Sequence, residues 1–151
     1  MAFIAMCFSV FLYQANLLDE SAQLFAIQYG SVPSVIFGYA SLPEEAAVSF
    51  PAVFTLVTSM FLHGGWMHLL GNMLYLWIFG NNVEDAMGHT KFVVFYVGSG
   101  ILAALSHALT DPSSEIPMVG ASGAISAVLG AYLLLYPHAR VLVMLPAIGM
   151  T

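Results

Sequence analysis

The sequence predicts an all-α fold, a polytopic bundle of transmembrane helices formed by a single domain over residues 1–151. Hydrophobic residues make up 60% of the chain and charged residues only 7%, whereas charged residues account for about 25% of a typical soluble protein. The apolar residues also recur in separate runs, too many for one buried core. The chain is therefore expected to be an integral membrane protein with several spans in a lipid bilayer.

The first predicted span covers residues 1–18, which can cross a hydrocarbon core of about 30 Å if the helix is upright. A secretory signal would need a basic beginning and a small-residue cleavage site, and neither is present. Apolar residues follow Met1 directly, so we expect this span to lack its natural beginning. Cys7 is the single cysteine; it can form no internal disulfide and is expected in the core.

Residues 19–65 predict a long loop outside the membrane, because acidic residues and prolines interrupt the apolar ones. We call this loop the external segment. Within it, residues 51–62 are apolar but only about a dozen long, which favours an interfacial or re-entrant element.

Further spans are predicted at residues 66–83, 92–109 and 122–136, and a last run begins at residue 141 and is cut off at Thr151. The sequence thus predicts about five spans.

The two basic residues predict the orientation, because cytoplasmic loops collect lysine and arginine. Lys91 and Arg140 are separated by one predicted span and lie on the same side, which we assign to the cytoplasm. The opposite, external side then holds most of the acidic residues: Asp19, Glu20, Glu44, Glu45, Asp111 and Glu115. The net charge of −6 gives no basic surface, so a nucleic-acid partner is not expected.

Polar residues at membrane depth are costly and often functional. His68 and Asn72 stand four positions apart, on one face of a predicted helix. Ser122 opens another apolar helix, with Gly120 and Gly123 close by. Both helix ends are predicted to be external, so the three polar side chains could meet in one water-accessible pocket below the outer surface.

This combination suits acyl transfer. The N–H groups at a helix start lack intrahelical partners and favour developing negative charge. The donors His68 and Asn72 could complete an oxyanion hole for a nucleophilic Ser122, and Gly120 and Gly123 let backbone and substrate approach closely. The sequence is not the nucleophile elbow of soluble hydrolases, which needs glycine two residues after the serine, where Ala124 stands.

Structural roles explain some of the same residues. Ser122, Ser126 and Gly130 recur every four positions, as in close helix packing, and His68 with Asn72 could form an interhelical hydrogen bond.

The remaining histidines have weaker functional signals. A metal site at His63 and His68 is disfavoured by their spacing and the lack of a nearby carboxylate, so no metal or other cofactor is expected. His107 is expected to be structural, and His89 and His138 to lie at the cytoplasmic interface.

Two motifs carry a family resemblance: FLHGGWMHLLGNMLYLWIFGNNVEDAMGH at residues 61–89 and GASGAISAVLGAYLLLYP at residues 120–137. With them the chain resembles the rhomboid family of intramembrane serine proteases, most clearly from about residue 54 to residue 140. The resemblance implies a rhomboid-type bundle of six or more spans, without a cofactor, that cleaves transmembrane segments of membrane proteins near the external face. A bacterial inner membrane is the expected location.

The resemblance also implies residue roles. Ser122 is the nucleophile, and its backbone together with the side chains of His68 and Asn72 stabilises the oxyanion. Gly120 and Gly123 supply the backbone around the site. His63 and Glu84 match further family positions, which are expected to support structure more than chemistry.

The sequence departs from the family at several positions. Phe54 and Thr55 stand where the family often has Trp-Arg, and Ser126 stands where an aromatic residue is common. Rhomboids take the general base from a histidine in a later span, which does not occur before Thr151. His138 is about 24 Å along the helix from Ser122, too far to accept its proton.

Two interpretations remain open. Either the chain is a fragment of a protease, inactive by itself because the base is missing, or it is a non-proteolytic protein that binds transmembrane helices. A third option, His68 as the base, is chemically allowed, but its family role argues against it.

Overall fold

The computed structural model describes residues 2–139, and these residues are helical apart from loops and one backbone bridge between Ser31 and Met118. The predicted all-α architecture agrees with this part of the chain. The span predicted at residues 141–151, and Arg140, lie outside the described residues.

The helices follow one another along the chain with short connections. Before residue 62 they are α1 (Ala2–Ala15), α2 (Asp19–Tyr29), α3 (Pro33–Ile36), 3-10 turns at Glu44–Ala46 and Ala52–Phe54, α4 (Thr55–Thr58) and a 3-10 turn at Ser59–Phe61. After it they are α5 (Trp66–Tyr75), a π-helical segment (Leu76–Gly80), α6 (Asn81–Met87), α7 (His89–Ala108) and α8 (Ser122–Leu135).

The helices differ in whether they are long and apolar enough to cross a bilayer. Within residues 2–139, α7 is the one single helix that is long and apolar enough to span a bilayer. Ala52–Phe61 and Trp66–Met87 pass the same test together, with a bend of 83° between them, as in a broken span or a re-entrant loop. Helices α1 and α8 have 14 residues each, short of the roughly 20 that a span needs. The predicted number of spans is therefore not confirmed.

The external segment contains more helix than the sequence predicts. Helix α2 occupies its first part and begins with two acidic residues, Asp19 and Glu20, which suit the positive end of a helix dipole. It ends at Tyr29, and the N–H of the following Gly30 donates to the carbonyl of Ala26 at 2.8 Å. Residues 51–62, for which an interfacial or re-entrant element is predicted, form short helices at residues 52–61.

The helix that begins at Trp66 also runs further than predicted. It passes through the π segment and ends at Met87, because Gly88 adopts φ +83°, a left-handed conformation that favours glycine.

The core lies where α5, α7 and α8 meet α1. Small residues let α7 and α8 approach closely: a Cβ added to Gly123 would lie 2.5 Å from the Cβ of Ala103. Cys7 of α1 is fully buried and free, which confirms its predicted place in the core. This packing holds the beginning of α8 beside the end of α7.

Candidate functional site

Ser122 is the first residue of α8 and lies in a cavity of about 430 Å³. The cavity lies between α7, the loop before α8 and residues Ser59 and Met60. Gly120 and Gly123, both singled out from the sequence, also line it. The Ser122 side chain is exposed, and its backbone carbonyl accepts a hydrogen bond from Ser126 Oγ at 2.8 Å. The exposed hydroxyl of Ser122 is thus accessible from the cavity.

Gly120 links this cavity to the predicted oxyanion donors. Its φ is +117°, and its N–H donates to the carbonyl of Ser59 at 2.8 Å. A Cβ added there would lie 2.7 Å from Cε1 and Nε2 of His68 and 3.7 Å from Nδ2 of Asn72. The backbone two residues before Ser122 therefore lies directly against the His68 ring, which leaves no room for a side chain.

The His68 and Asn72 side chains lie beside Gly120, at the edge of the Ser122 site. Neither side chain lines the Ser122 cavity itself. His68 is exposed, whereas Asn72 is buried and its Nδ2 has no hydrogen-bond partner among the described residues. A buried amide donor without a partner costs free energy, so this N–H group is available to an oxygen that enters the site.

His63 packs behind His68. It is buried, its ring centroid lies 5.2 Å from that of His68, and the rings are close to perpendicular. Its backbone N–H donates to Oε1 of Gln14 at 3.2 Å, and Nδ1 lies 3.3 Å from the carbonyl oxygen of Phe61. Burial, followed by the charge of His68, lowers the pKa of His63 to about 4, against the opposing effect of the Phe61 carbonyl. His63 is therefore neutral near pH 7 and supports the His68 ring.

His107 is a residue of the Ser122 cavity that sequence reasoning did not place there. It lines the Ser122 cavity although the sequence suggested a purely structural role. It stands near the end of α7. Gly100 lies against Ala124 and Ala103 against Gly123, so α7 and α8 form an antiparallel pair joined by a loop. That hairpin brings the end of one helix to the start of the next, which is the signal that could have placed His107 beside Ser122.

Other chemistry-bearing residues lie away from Ser122. Glu84 and His89 are paired at the opposite end of the α5–α6 helix, with 2.7 Å between Oε1 and Nδ1. His138 follows the other end of α8 and is exposed. Across residues 2–139, no group of three or more His, Cys, Asp or Glu side chains could hold a metal ion.

Comparisons with known proteins agree on one family. A family model described as the Rhomboid domain matches residues 51–150. RHOMBOID-like protein 5 of Arabidopsis thaliana is 41% identical over 78 residues, which cover 52% of this chain and 25% of that protein. The putative rhomboid protease YdcA of Bacillus subtilis is 38% identical over 78 residues, 52% of this chain and 39% of that protein.

A mitochondrial relative extends the range of organisms. Rhomboid protein 1 of Saccharomyces cerevisiae is 35% identical over 92 residues, which cover 58% of this chain and 27% of that protein. In these three comparisons the matched region spans between 25% and 39% of the relative's length.

Proposed function

The chain belongs to the rhomboid family, and from this premise we propose that it is an intramembrane serine endopeptidase. The family places it in a membrane, and rhomboid proteases act on transmembrane substrates. The substrates are transmembrane segments of other membrane proteins, cleaved near the external face. We further propose a bacterial inner membrane with the Ser122 site opening outward, an orientation supported by Lys91 at the opposite end of α7.

Ser122 is the proposed nucleophile. Its Oγ attacks the scissile carbonyl carbon while its proton passes to a histidine base, which the family supplies from a later span. The carbonyl oxygen becomes an oxyanion, and the leaving amine takes the proton from that histidine when the C–N bond breaks. This leaves the substrate's acyl group bound to Ser122 Oγ. Water then attacks the acyl carbon and gives a proton to the same histidine, which passes it to Ser122 Oγ as the ester bond breaks.

The oxyanion is stabilised by the N–H group at the start of α8 and by His68 and Asn72. Such donors act strongly because they are held in place before the charge develops. Gly120 and Gly123 have no side chain, so the backbone beside Ser122 and the substrate can approach each other closely.

The observation that carries the proposal is the contact of Gly120 with His68. Packing of α8 through small residues explains Gly123, but it does not require a glycine at φ +117° placed against an imidazole ring. Nδ2 of Asn72, which has no hydrogen-bond partner within residues 2–139, lies beside the same glycine and adds a second donor.

The proposal is tested by cleavage of a model single-span substrate in proteoliposomes, with a protein that includes the later span from which the family takes its histidine base. Ser122→Ala should abolish cleavage and leave the thermal unfolding midpoint unchanged. Ser126→Ala is the matched control, because Ser126 lies one helical turn further along α8 and its hydroxyl bonds to the Ser122 carbonyl. Cleavage that persists in Ser122→Ala would remove the serine from the reaction.

The same assay tests the oxyanion donors. His68→Ala and Asn72→Ala should each lower the cleavage rate by ~10²-fold or more. Unchanged rates would assign both side chains to helix packing. A Ser122→Ala protein that keeps every cellular effect would support the non-proteolytic alternative, binding of transmembrane helices.

A further inference from the structure

A second cavity lies in the external segment, separate from the one that holds Ser122. Its volume is about 390 Å³, close to the 430 Å³ of the Ser122 cavity. The end of α2, helix α3 and residues 40–55 surround it. Most of its larger side chains are apolar: Ile27, Val32, Val35, Leu42, Val48 and Phe50. Such a cavity can take up an apolar group of the size of one or two side chains.

The two cavities share a wall made of backbone. Ser31 and Met118 exchange two hydrogen bonds, of 3.0 and 2.9 Å, in an antiparallel bridge. Met118 lines the Ser122 cavity, whereas Gly30 and Val32, on either side of Ser31, line the second cavity. The bridge therefore lies between the two spaces.

The short helices at residues 52–61 form another part of this wall. Ala52 and Thr55 line the second cavity, and Ser59 and Met60 line the Ser122 cavity. About one helical turn separates Thr55 from Ser59. A polypeptide bound at Ser122 could thus reach the second cavity within a few residues.

The rim of the second cavity is acidic. The lining residues Leu42 and Ala47 flank the 3-10 turn Glu44–Ala46, and the side chains of Glu44 and Glu45 are exposed. The chain contains no lysine or arginine before Lys91. An apolar interior with two carboxylates at its edge suits an apolar side chain that has basic neighbours.

We propose that the second cavity is a substrate exosite. It takes an apolar side chain from the extramembrane part of a polypeptide substrate, and adjacent lysine or arginine residues of that substrate face Glu44 and Glu45. This inference rests on the proposed function, since it assumes a polypeptide at Ser122. The shared wall and the acidic rim favour a polypeptide over a lipid acyl chain as the occupant.

The test is a binding experiment that needs no cleavage. The protein carries Ser122→Ala and is held in nanodiscs, and the probe is a single-span peptide whose external flank has a photoreactive leucine between two lysines. Crosslinks mapped by mass spectrometry should fall on the lining residues of the 42–55 stretch. Replacing both lysines of the probe with glutamates should abolish these crosslinks at low salt.

Substitutions at and near the second cavity provide an independent test of probe binding. Val48→Trp fills the cavity and should weaken probe binding by about tenfold or more, as expected when one leucine side chain loses its burial. Val53→Trp is the matched control, because Val53 is 56% exposed and does not line the cavity. Glu44→Gln combined with Glu45→Gln should weaken binding severalfold at low salt and have little effect at high salt, where surface charges are screened.

Two outcomes would overturn the exosite. One is equal binding and crosslinking of the Val48→Trp and Val53→Trp proteins. If Val48→Trp does not fold, the positions of the crosslinks in the protein that keeps Val48 serve as the test, and crosslinks that lie away from the lining residues would overturn the exosite. The other is labelling of the lining residues by a photoreactive phospholipid that excess peptide does not displace, which would make the cavity a lipid site. Neither outcome concerns Ser122, whose role is judged by cleavage alone.

Discussion

Replacing Gly120 with alanine is the sharpest test of how the site is built. The change adds one carbon atom at a position where φ is +117° and where the new Cβ would lie 2.7 Å from the His68 ring. Gly38→Ala provides the control. Gly38 also has a positive φ, +77°, but a Cβ there meets no atom of the described residues within 4 Å. The two variants share backbone strain and differ in contact with His68.

The structure gives the expected magnitudes. A left-handed conformation costs a non-glycine residue roughly 1–2 kcal/mol, so both variants should lose stability of about this size. Carbon atoms in contact prefer separations of about 3.5–4.0 Å, so in Gly120→Ala the His68 ring must move by about 1 Å. A displacement of that size in a catalytic group can cost ~10²-fold in rate. Only Gly120→Ala should show this loss.

The assay is cleavage of the model substrate together with thermal unfolding in the same proteoliposomes. Gly120→Ala should cleave ~10²-fold more slowly than the unchanged protein, and Gly38→Ala should cleave normally despite its lower unfolding temperature. Normal cleavage by Gly120→Ala would refute the reasoning, because His68 would then not need its position against the backbone before Ser122.

Two further predictions concern stability. Burial lowers the pKa of His63 to about 4 from its ordinary value of about 6.5, so the unfolded state binds more protons and stability falls as pH drops from about 6.5 to 4. The loss should be about 2 kcal/mol between pH 7 and pH 5, measured by thermal unfolding; an equal loss in His63→Gln would contradict it. Gly123→Ala should destabilise the protein by about 1–3 kcal/mol because its Cβ would meet Ala103 at 2.5 Å. Gly130→Ala should be neutral or stabilising by up to about 1 kcal/mol, because a Cβ there meets none of residues 2–139 within 4 Å. Equal effects of the two changes would argue against the close α7–α8 contact.

The sequence predicts helices best where apolar residues are uninterrupted. The run at residues 92–109 corresponds to His89–Ala108, and the run at 122–136 to Ser122–Leu135. Helix α2 was missed because DESAQLFAIQY mixes polar and apolar residues and contains no long apolar run. The π segment at Leu76–Gly80 was missed as well, since its residues LWIFG are equally compatible with an ordinary α-helix.

The candidate site was predictable in part for a similar reason. Spacing along one helix predicts that His68 and Asn72 share a face, and both approach Gly120 in the structure. The position of His107 in the Ser122 cavity depends on how α7 and α8 pair, a tertiary contact that local spacing does not encode. The same is true of the second cavity, whose walls come from three parts of the external segment.

The loop before Ser122 is positioned by backbone hydrogen bonds from the external segment. The N–H of Gly120 donates to the backbone carbonyl of Ser59, and Met118 and Ser31 form a backbone bridge. Backbone carbonyls accept these hydrogen bonds whatever the side chain is, so the sequence does not reveal the bonds. The bridge also requires a close approach at Gly30, where an added Cβ would lie 3.0 Å from Pro117 Cβ and would overlap the Ala26 carbonyl oxygen. The backbone around Ser122 is therefore coupled to the external segment as well as to α8. Gly30 and Val32, on either side of Ser31, line the second cavity, so the proposed exosite and the proposed nucleophile Ser122 are connected through the bridge between Ser31 and Met118.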